Sequence, residues 1–373
     1  MTIRYVRVNP VSDLFAPAVR AYGNVAIVGT VTAPATPPPD LLTIDTPVVL
    51  TDPSEARRRA PGALGDAIAL AFAQSPGPSQ ITAVRVDETT LDWTSGLSAL
   101  ETADVQIVAL ASSPLDSTSA SAGIGALAAH VVSVSNTGSD GKERIGVAML
   151  AKGASDPSIV SGSLVSDRMC YVAHKSDEDV AAAVAGVIAG YEPHISMLLK
   201  PVRVDSAPFT AAEIGAINGS ETFSSGPAGL GVNWLVDPAL IPGQGVYLGE
   251  GYTGDPGGGK KYIDIVRTID NVSFLLKAQL IRSVGNVRIS RSGLRALGAQ
   301  MEAVLEPLVR QGVIEDYDIV MPILALLDKP PATLSAAELV QVQNAQAQRI
   351  LEALVAVDYA GAIHRVSLTL RFE

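Results

Sequence analysis

Covalent staples are missing from this chain: its 373 residues include a single cysteine, Cys170. One thiol cannot build an internal disulfide framework or a multi-cysteine metal site. Histidine is nearly as scarce. His130, His174, His194 and His364 lie far apart in no HExxH or HxH spacing, so they read as separate, satisfied side chains rather than as a metal centre. Charged residues make up only 17% against 47% hydrophobic, the balance of a globular chain that buries much surface or assembles. No apolar run reaches the roughly 18 residues of a membrane span. The nearest, VAAAVAGVIAG at 180–190, is short, Ala-rich and preceded by Asp177, Glu178 and Asp179. Neither membrane insertion nor, from MTIRYVRVNP, a secretory leader is expected.

Excess positive charge is also lacking. The net charge is −11, which argues against general nucleic-acid binding. Its distribution is uneven. Lys260, Lys261, Arg267, Lys277, Arg282, Arg288, Arg291 and Arg295 face only three acids between 255 and 300, so a basic stretch sits on an acidic molecule. That suits an acidic partner, including another copy of the chain; a solvated helix face is the plainer reading.

What is present is an alternation of strands and helices. NVAIVGTV (24–31), TPVVLT (46–51), ITAVRV (81–86), VQIVALA (105–111), RIGVAML (144–150) and MCYVAHK (169–175) read as strands. Asp52 and Pro53 supply a cap and a first-turn proline for a helix through SEARRRA, and 63–74, 92–103, 117–135 and 178–190 read as further helices. This grammar predicts an α/β domain over 22–200 with a mostly parallel sheet. Past Pro201 it changes. Residues 205–260 are rich in Gly and Pro, with strand-like GVNWLV and GVYLGEG, and YIDIV reads as a strand. Helices are expected over 267–282, with Ile269, Val272, Leu276 and Leu280 on one stripe, and over 291–311. A strand at 316–323 follows, then a helix from the Ser335–Glu338 capping box to about Val357. The expected organisation is a two-domain α/β chain: an arm (1–21), the α/β domain, an α+β domain (201–362) and a strand arm (363–373).

The two arms read as extended strands. In 365–373, Val366, Leu368, Leu370 and Phe372 share one face, with Arg365, Ser367, Thr369, Arg371 and Glu373 on the other. An alternating strand with open edges is a template for pairing with another chain. In 2–8 the alternation is less regular: Ile3 and Tyr5 share a face with Arg7, and Val6 and Val8 share the other with Arg4.

Two glycine motifs resemble nucleotide sites. GEGYTG (249–254) satisfies GxGxxG, and GDPGGGKK (254–261) satisfies GxxxxGK. The first needs a helix opening inside the motif, and DPGGG follows instead. The second needs Ser or Thr after the lysine and a helix starting there, whereas Lys261 and an expected strand follow. A loop joining two strands accounts for both. Cys170, in apolar MCYVA, reads as structural, and the acids at 177–179 as a helix start. No catalytic, cofactor or metal residues are assigned.

The order of features resembles the contractile tail sheath proteins of myophages, R-type bacteriocins and extracellular contractile injection systems. The segments that carry it are NVAIVGTV, DTPVVLTDPSEARRRAPG, LGDAIALAF, ITAVRVDE and SALETADVQIVALASSP, then VYLGEGYTGDPGGGKKYIDIVRTIDNVSFLLKAQL, VLEPLVRQGVIEDYDIVMP and HRVSLTLRF. The resemblance implies a structural subunit, not an enzyme, stacked as hexameric rings in a helix around an inner tube. Contraction drives that tube through a target envelope with energy stored in the assembly and no cofactor. It implies partners in the chain itself, the tube protein and baseplate and terminator proteins, with cytoplasmic assembly before the chain joins a virion tail or released particle. It also implies terminal arms that add strands to a neighbour's sheet, here through Ile3, Tyr5, Val6, Val8, Val366, Leu368, Leu370 and Phe372. The eight basic residues would meet the tube or a neighbour. Another ring- or tube-forming tail protein, or a nucleotide-binding enzyme, are the alternatives.

Overall fold

The computed structural model describes residues 22–365 apart from 33–35, 37, 117–120, 137–140, 221–228, 239 and 242–244. The expected strands at Ile3, Tyr5, Val6 and Val8, and at Val366, Leu368, Leu370 and Phe372, lie outside the described residues. The described chain forms two units, one of residues 22–270 with 361–365 and a smaller one of residues 271–360.

The larger unit is built on strands β1 (Val25–Thr30), β2 (Val48–Leu50), β3 (Ile81–Val86), β4 (Ile107–Leu110), β5 (Ile145–Met149), β6 (Met169–Ala173), β7 (Pro201–Val202), β8 (Val232–Val236) and β9 (Val246–Leu248). They form one sheet in the order β2-β3-β1-β4-β5-β6-β8-β9-β7. The six central strands run parallel, while β2, β9 and β7 pair antiparallel at the two ends. Helices α1 (Pro53–Arg59), α2 (Ala63–Phe72), α3 (Trp93–Ser98), α4 (Ser121–Asn136), α5 (Val180–Gly190) and α6 (Ala211–Asn218) supply the covers.

The side chains of β1 show why both faces need covering. Val25 and Ile27 enter a core with Leu64 and Ile68 of α2 and Val184 and Ile188 of α5. Ala26 and Val28 enter another with Leu97 of α3 and Leu127 and Val131 of α4. Strands buried on both faces read as continuous apolar runs rather than alternating ones. Helix α5 is apolar all round and buried along nearly its whole length, as expected of a helix enclosed by protein. Its small residues allow close approach: a Cβ on Gly186 would lie 3.0 Å from the Ala71 Cα of α2. No helix among the described residues is long and apolar enough to cross a membrane.

The sequence expectation places the domain boundary after residue 200, but the structure divides elsewhere. β7, β8 and β9 extend the same sheet, and the division falls after Asp270. GVNWLV reads as a loose piece because its partner β6 is distant in sequence. The expected strand YIDIV is a further departure: Tyr262 makes only an isolated bridge with Tyr252, and helix α7 (Ile263–Leu280) begins directly after it. Ile269, placed on the apolar stripe by spacing, is 41% exposed.

The smaller unit contains the second half of α7, α8 (Arg291–Arg310), β10 (Ile314–Val320), α9 (Pro322–Asp328), α10 (Ala336–Gln348) and β11 (Leu354–Tyr359). The α8 stripe behaves as its spacing requires, with Leu294, Met301, Leu305 and Leu308 buried. Strands β10 and β11 pair antiparallel over one another. The expected strand at 316–323 stops at Val320, because Met321-Pro322 opens α9 with proline in its first turn. The capping box is present, with Ser335 Oγ accepting from the Glu338 amide at 3.3 Å and Glu338 Oε2 accepting from the Ser335 amide at 2.8 Å. The helix it opens ends at Arg349, which adopts left-handed φ 59. The helix expected to about Val357 therefore stops earlier, and Leu354–Tyr359 are strand. Val355, Val357 and Tyr359 are half-buried, while Leu354, Ala356 and Asp358 are exposed, a period of two.

Buried polar groups tie loops to the large sheet. Arg144 is fully buried and donates to the carbonyls of Leu100 at 3.0 Å, Ala103 at 3.1 Å and Lys142 at 3.2 Å, with His130 Nε2 at 3.2 Å. Burial, reinforced by the Arg144 guanidinium, pulls the His130 imidazole down to about 4. Since the unfolded chain protonates near pH 6.5, the neutral ring's contribution is intact above that value and lost as pH falls toward 4. Denaturant melts of the wild type should weaken across this window, and His130→Gln should flatten the slope. Equal pH slopes would show that another group governs the loss.

Candidate assembly site

The glycine-rich segment 249–261 folds as a closed turn against the sheet. Thr253 N–H donates to the Lys261 carbonyl at 2.9 Å, and Thr253 Oγ1 donates to the Lys260 carbonyl at 2.9 Å. Lys261 Nζ lies over the Tyr252 ring, 5.3 Å from its centroid, and Lys260 pairs with Asp167 at 3.1 Å. The lysine that a phosphate loop would present is thus already engaged. A helix does begin near the motif, at Ile263, contrary to expectation, but Lys261 stands where a phosphate loop needs Ser or Thr after Lys260. The glycines answer to packing: a Cβ on Gly249 would run into the Trp234 indole, one on Gly251 would approach the Met197 Cβ at 3.1 Å, and one on Gly254 would lie 2.6 Å from the Tyr171 ring.

Between two of these glycines sits Glu250, whose side chain is 0% exposed. Its Oε1 accepts from Arg365 Nη2 at 2.7 Å, and its Oε2 lies 3.0 Å from His364 Nδ1. The His364 Nε2 lies 2.9 Å from Ser196 Oγ, and the ring packs edge-on against Tyr262 with centroids 4.8 Å apart. The preceding residues, Gly361, Ala362 and Ile363, are exposed. The chain leaving the smaller unit is therefore gripped within the larger one at His364 and Arg365. Sequence reading overlooked this site. Its signal was an acid flanked by glycines in an apolar strand, VYLGEGY, which demands a cation from elsewhere.

The basic stretch is not one surface. Lys260, Lys261 and Arg267 belong to the larger unit, and Lys277, Arg282, Arg288, Arg291 and Arg295 to the smaller. Arg267 is only 6% exposed, so it is removed from the set that could meet a partner. Its Nη2 donates to the carbonyls of Tyr191 at 2.9 Å and Tyr22 at 3.4 Å, and burial lowers its guanidinium to about 10. Arg291 and Arg295 both pair with Asp328 at 3.0 Å. Lys277 is half-buried; Arg282 and Arg288 are exposed. Spacing could not separate these roles, because the acids that engage the arginines are distant in sequence.

Cys170 is fully buried, its Sγ accepting from Asn233 Nδ2 at 3.5 Å, and burial pushes its thiol up to about 12. Asp179 caps α5, accepting from the Ala182 amide at 2.9 Å and the Ser112 amide at 2.7 Å. Both therefore serve the fold, as their contexts predict.

No protein-family model and no curated protein sequence matches the chain. Solved structures share its fold over its full length. One is a chain of the contracted sheath complex of PVC, an extracellular contractile injection system, with TM-score 0.68 and 11% identity over 100% of this chain and 98% of that one. Another belongs to the contracted helical sheath of the anti-feeding prophage (AFP), with TM-score 0.64 and 15% identity over 100% and 99%. A chain of the sixfold-symmetrised AFP baseplate gives TM-score 0.64 and 13% identity over the same shares. The fold expected from the sequence resemblance is thereby found across the whole chain.

Since the glycines serve packing, Gly249→Ala should lower the thermal midpoint by several degrees, an overpacking penalty of about 1–3 kcal/mol. Millimolar MgATP should leave the wild-type midpoint unchanged, whereas ligand at about 100 times its Kd would add roughly 2.7 kcal/mol. A midpoint raised by MgATP would reinstate the nucleotide site.

Proposed function

We propose that this chain is the structural subunit of a contractile sheath. Copies stack as hexameric rings in a helix around an inner tube, joined at the ends by baseplate and terminator proteins. Contraction drives the tube through a target envelope without nucleotide. The subunits assemble in the cytoplasm and act in a virion tail or released particle. The observation that carries this reading is the near-complete mutual coverage between this chain and chains of two contracted sheath structures.

In this reading the smaller unit receives a neighbour's strand. Sheet β10–β11 has two strands, and among the described residues no third pairs with it. A two-stranded sheet is marginal alone. Its inner face, with Tyr317, Ile319, Val355 and Val357, packs toward Leu305 and Leu308 of α8. Its outer face sets Asp316 directly opposite Asp358, with Asp318 one position along. Like charges across a strand pair repel. An added strand of sequence VSLTLRF would extend the apolar face with Val366, Leu368, Leu370 and Phe372 and bring Arg371 to the acidic one. Arg282 and Arg288, both exposed, are the surface cations assigned here to tube or neighbour contact.

Negative-stain electron microscopy of the purified chain should show striated cylinders or disordered polymers of sheath width; a monodisperse monomer under all assembly conditions would sink the reading. Deleting residues 366–373 should give a folded subunit that forms no cylinders. Asp316→Lys with Asp358→Lys should also block assembly, and Arg371→Glu should partly restore it. Reversing Arg282 and Arg288 to Glu should weaken assembly and flatten its salt dependence, measured by sedimentation over a salt series.

A further inference from the structure

Two buried ionic groups of the larger unit act on the places where the chain enters and leaves it. Glu250 holds His364 and Arg365, and Arg267 holds the carbonyl of Tyr22. They are mounted on one element. The Ile263 amide donates to the Gly251 carbonyl at 2.9 Å, which fixes the residue after Glu250 to the first residue of α7. Arg267 follows Ile263 by four positions and so lies on the same helix face. The sheet holds this mount in turn: Asn233 Oδ1 accepts from the Tyr252 amide at 2.7 Å, and Asn233 Nδ2 donates to the Tyr252 carbonyl at 2.9 Å.

We infer that Glu250 and Arg267 are a pair of arm anchors, fixing the chain at residue 22 and at residues 364–365 to a single rigid mount of residues 249–253 and the first turn of α7. The inference rests on the sheath reading for what the arms link, while the anchoring is measurable in the isolated subunit. A surface ion pair would serve poorly, being weak and screened by salt. Glu250 is different, because a fully buried carboxylate that loses its cation stays uncompensated in the interior. The exposed residues 361–363 add no packing, so the grip is concentrated at two side chains. A pull on either arm then loads this mount.

Trypsin reads the anchors directly, because Arg365 can enter the protease only after leaving Glu250. In the full-length subunit, Glu250→Gln should speed cleavage after Arg365 by about tenfold or more without altering cleavage within residues 40–200. Arg267→Met should do the same after Arg20. His364→Ala, which leaves the interior acid and its arginine in place, provides a milder test with an expected rise of about threefold should Glu250→Gln fail to fold. Unchanged cleavage after Arg365 in every folded variant overturns the anchor role of Glu250, and unchanged cleavage after Arg20 that of Arg267. Faster cleavage combined with cylinders of wild-type yield, length and contraction would also overturn the inference, since the anchors would then transmit nothing. Failure of the wild-type chain to polymerise would instead refute the sheath reading, with the cleavage rates still deciding the anchors.

Discussion

A parallel sheet covered by helices on both faces leaves little room for a polar group without a partner, and the larger unit is organised by that requirement. Three deeply buried polar side chains resolve it by reaching across sequence. Arg144 gathers the carbonyls after α3, Asp179 joins the start of α5 to the turn after β4, and Asn233 fastens residue 252 to the sheet. Removing one member of such a group leaves the other orphaned in the interior, which costs more than an ordinary hydrogen bond returns. The specificity of the loop positions therefore comes from the core's intolerance of unsatisfied polarity.

The same requirement explains how a segment can imitate a nucleotide site. Close backbone approach to a phosphate calls for glycine, and so does close approach to an indole or a phenol ring. Gly249 lies against Trp234 and Gly254 against Tyr171. The motif reports crowding, and only the surrounding contacts reveal what crowds it.

Strands β1 and β3 to β6 were legible because apolar runs of four to six residues between helices have few other readings, and the caps at Asp52 and Ser335 were legible because capping is local. The domain boundary was not, since β8 joins a strand some sixty residues earlier. Residues 354–357 were misread because a short alternating run placed after a well-capped helix fits either period until the helix stop at Arg349 is seen. Of the candidate site, the basic residues were legible as charge but not as surface: Arg267 proved interior, and Arg291 and Arg295 were already engaged by Asp328. Glu250 was hidden because its partners lie more than a hundred residues away.

The large sheet ends on short strands at both sides. Its margins are β2, three residues long and preceded by Pro47, and β7, two residues long and opened by Pro201. Short, proline-flanked margins give an incoming backbone almost nothing to pair with. Crowded copies of such a sheet are thus kept from zipping together at random through their cores. Strand addition is thereby confined to surfaces that offer a longer run of backbone, and the bulk of the larger unit stays inert toward other strands.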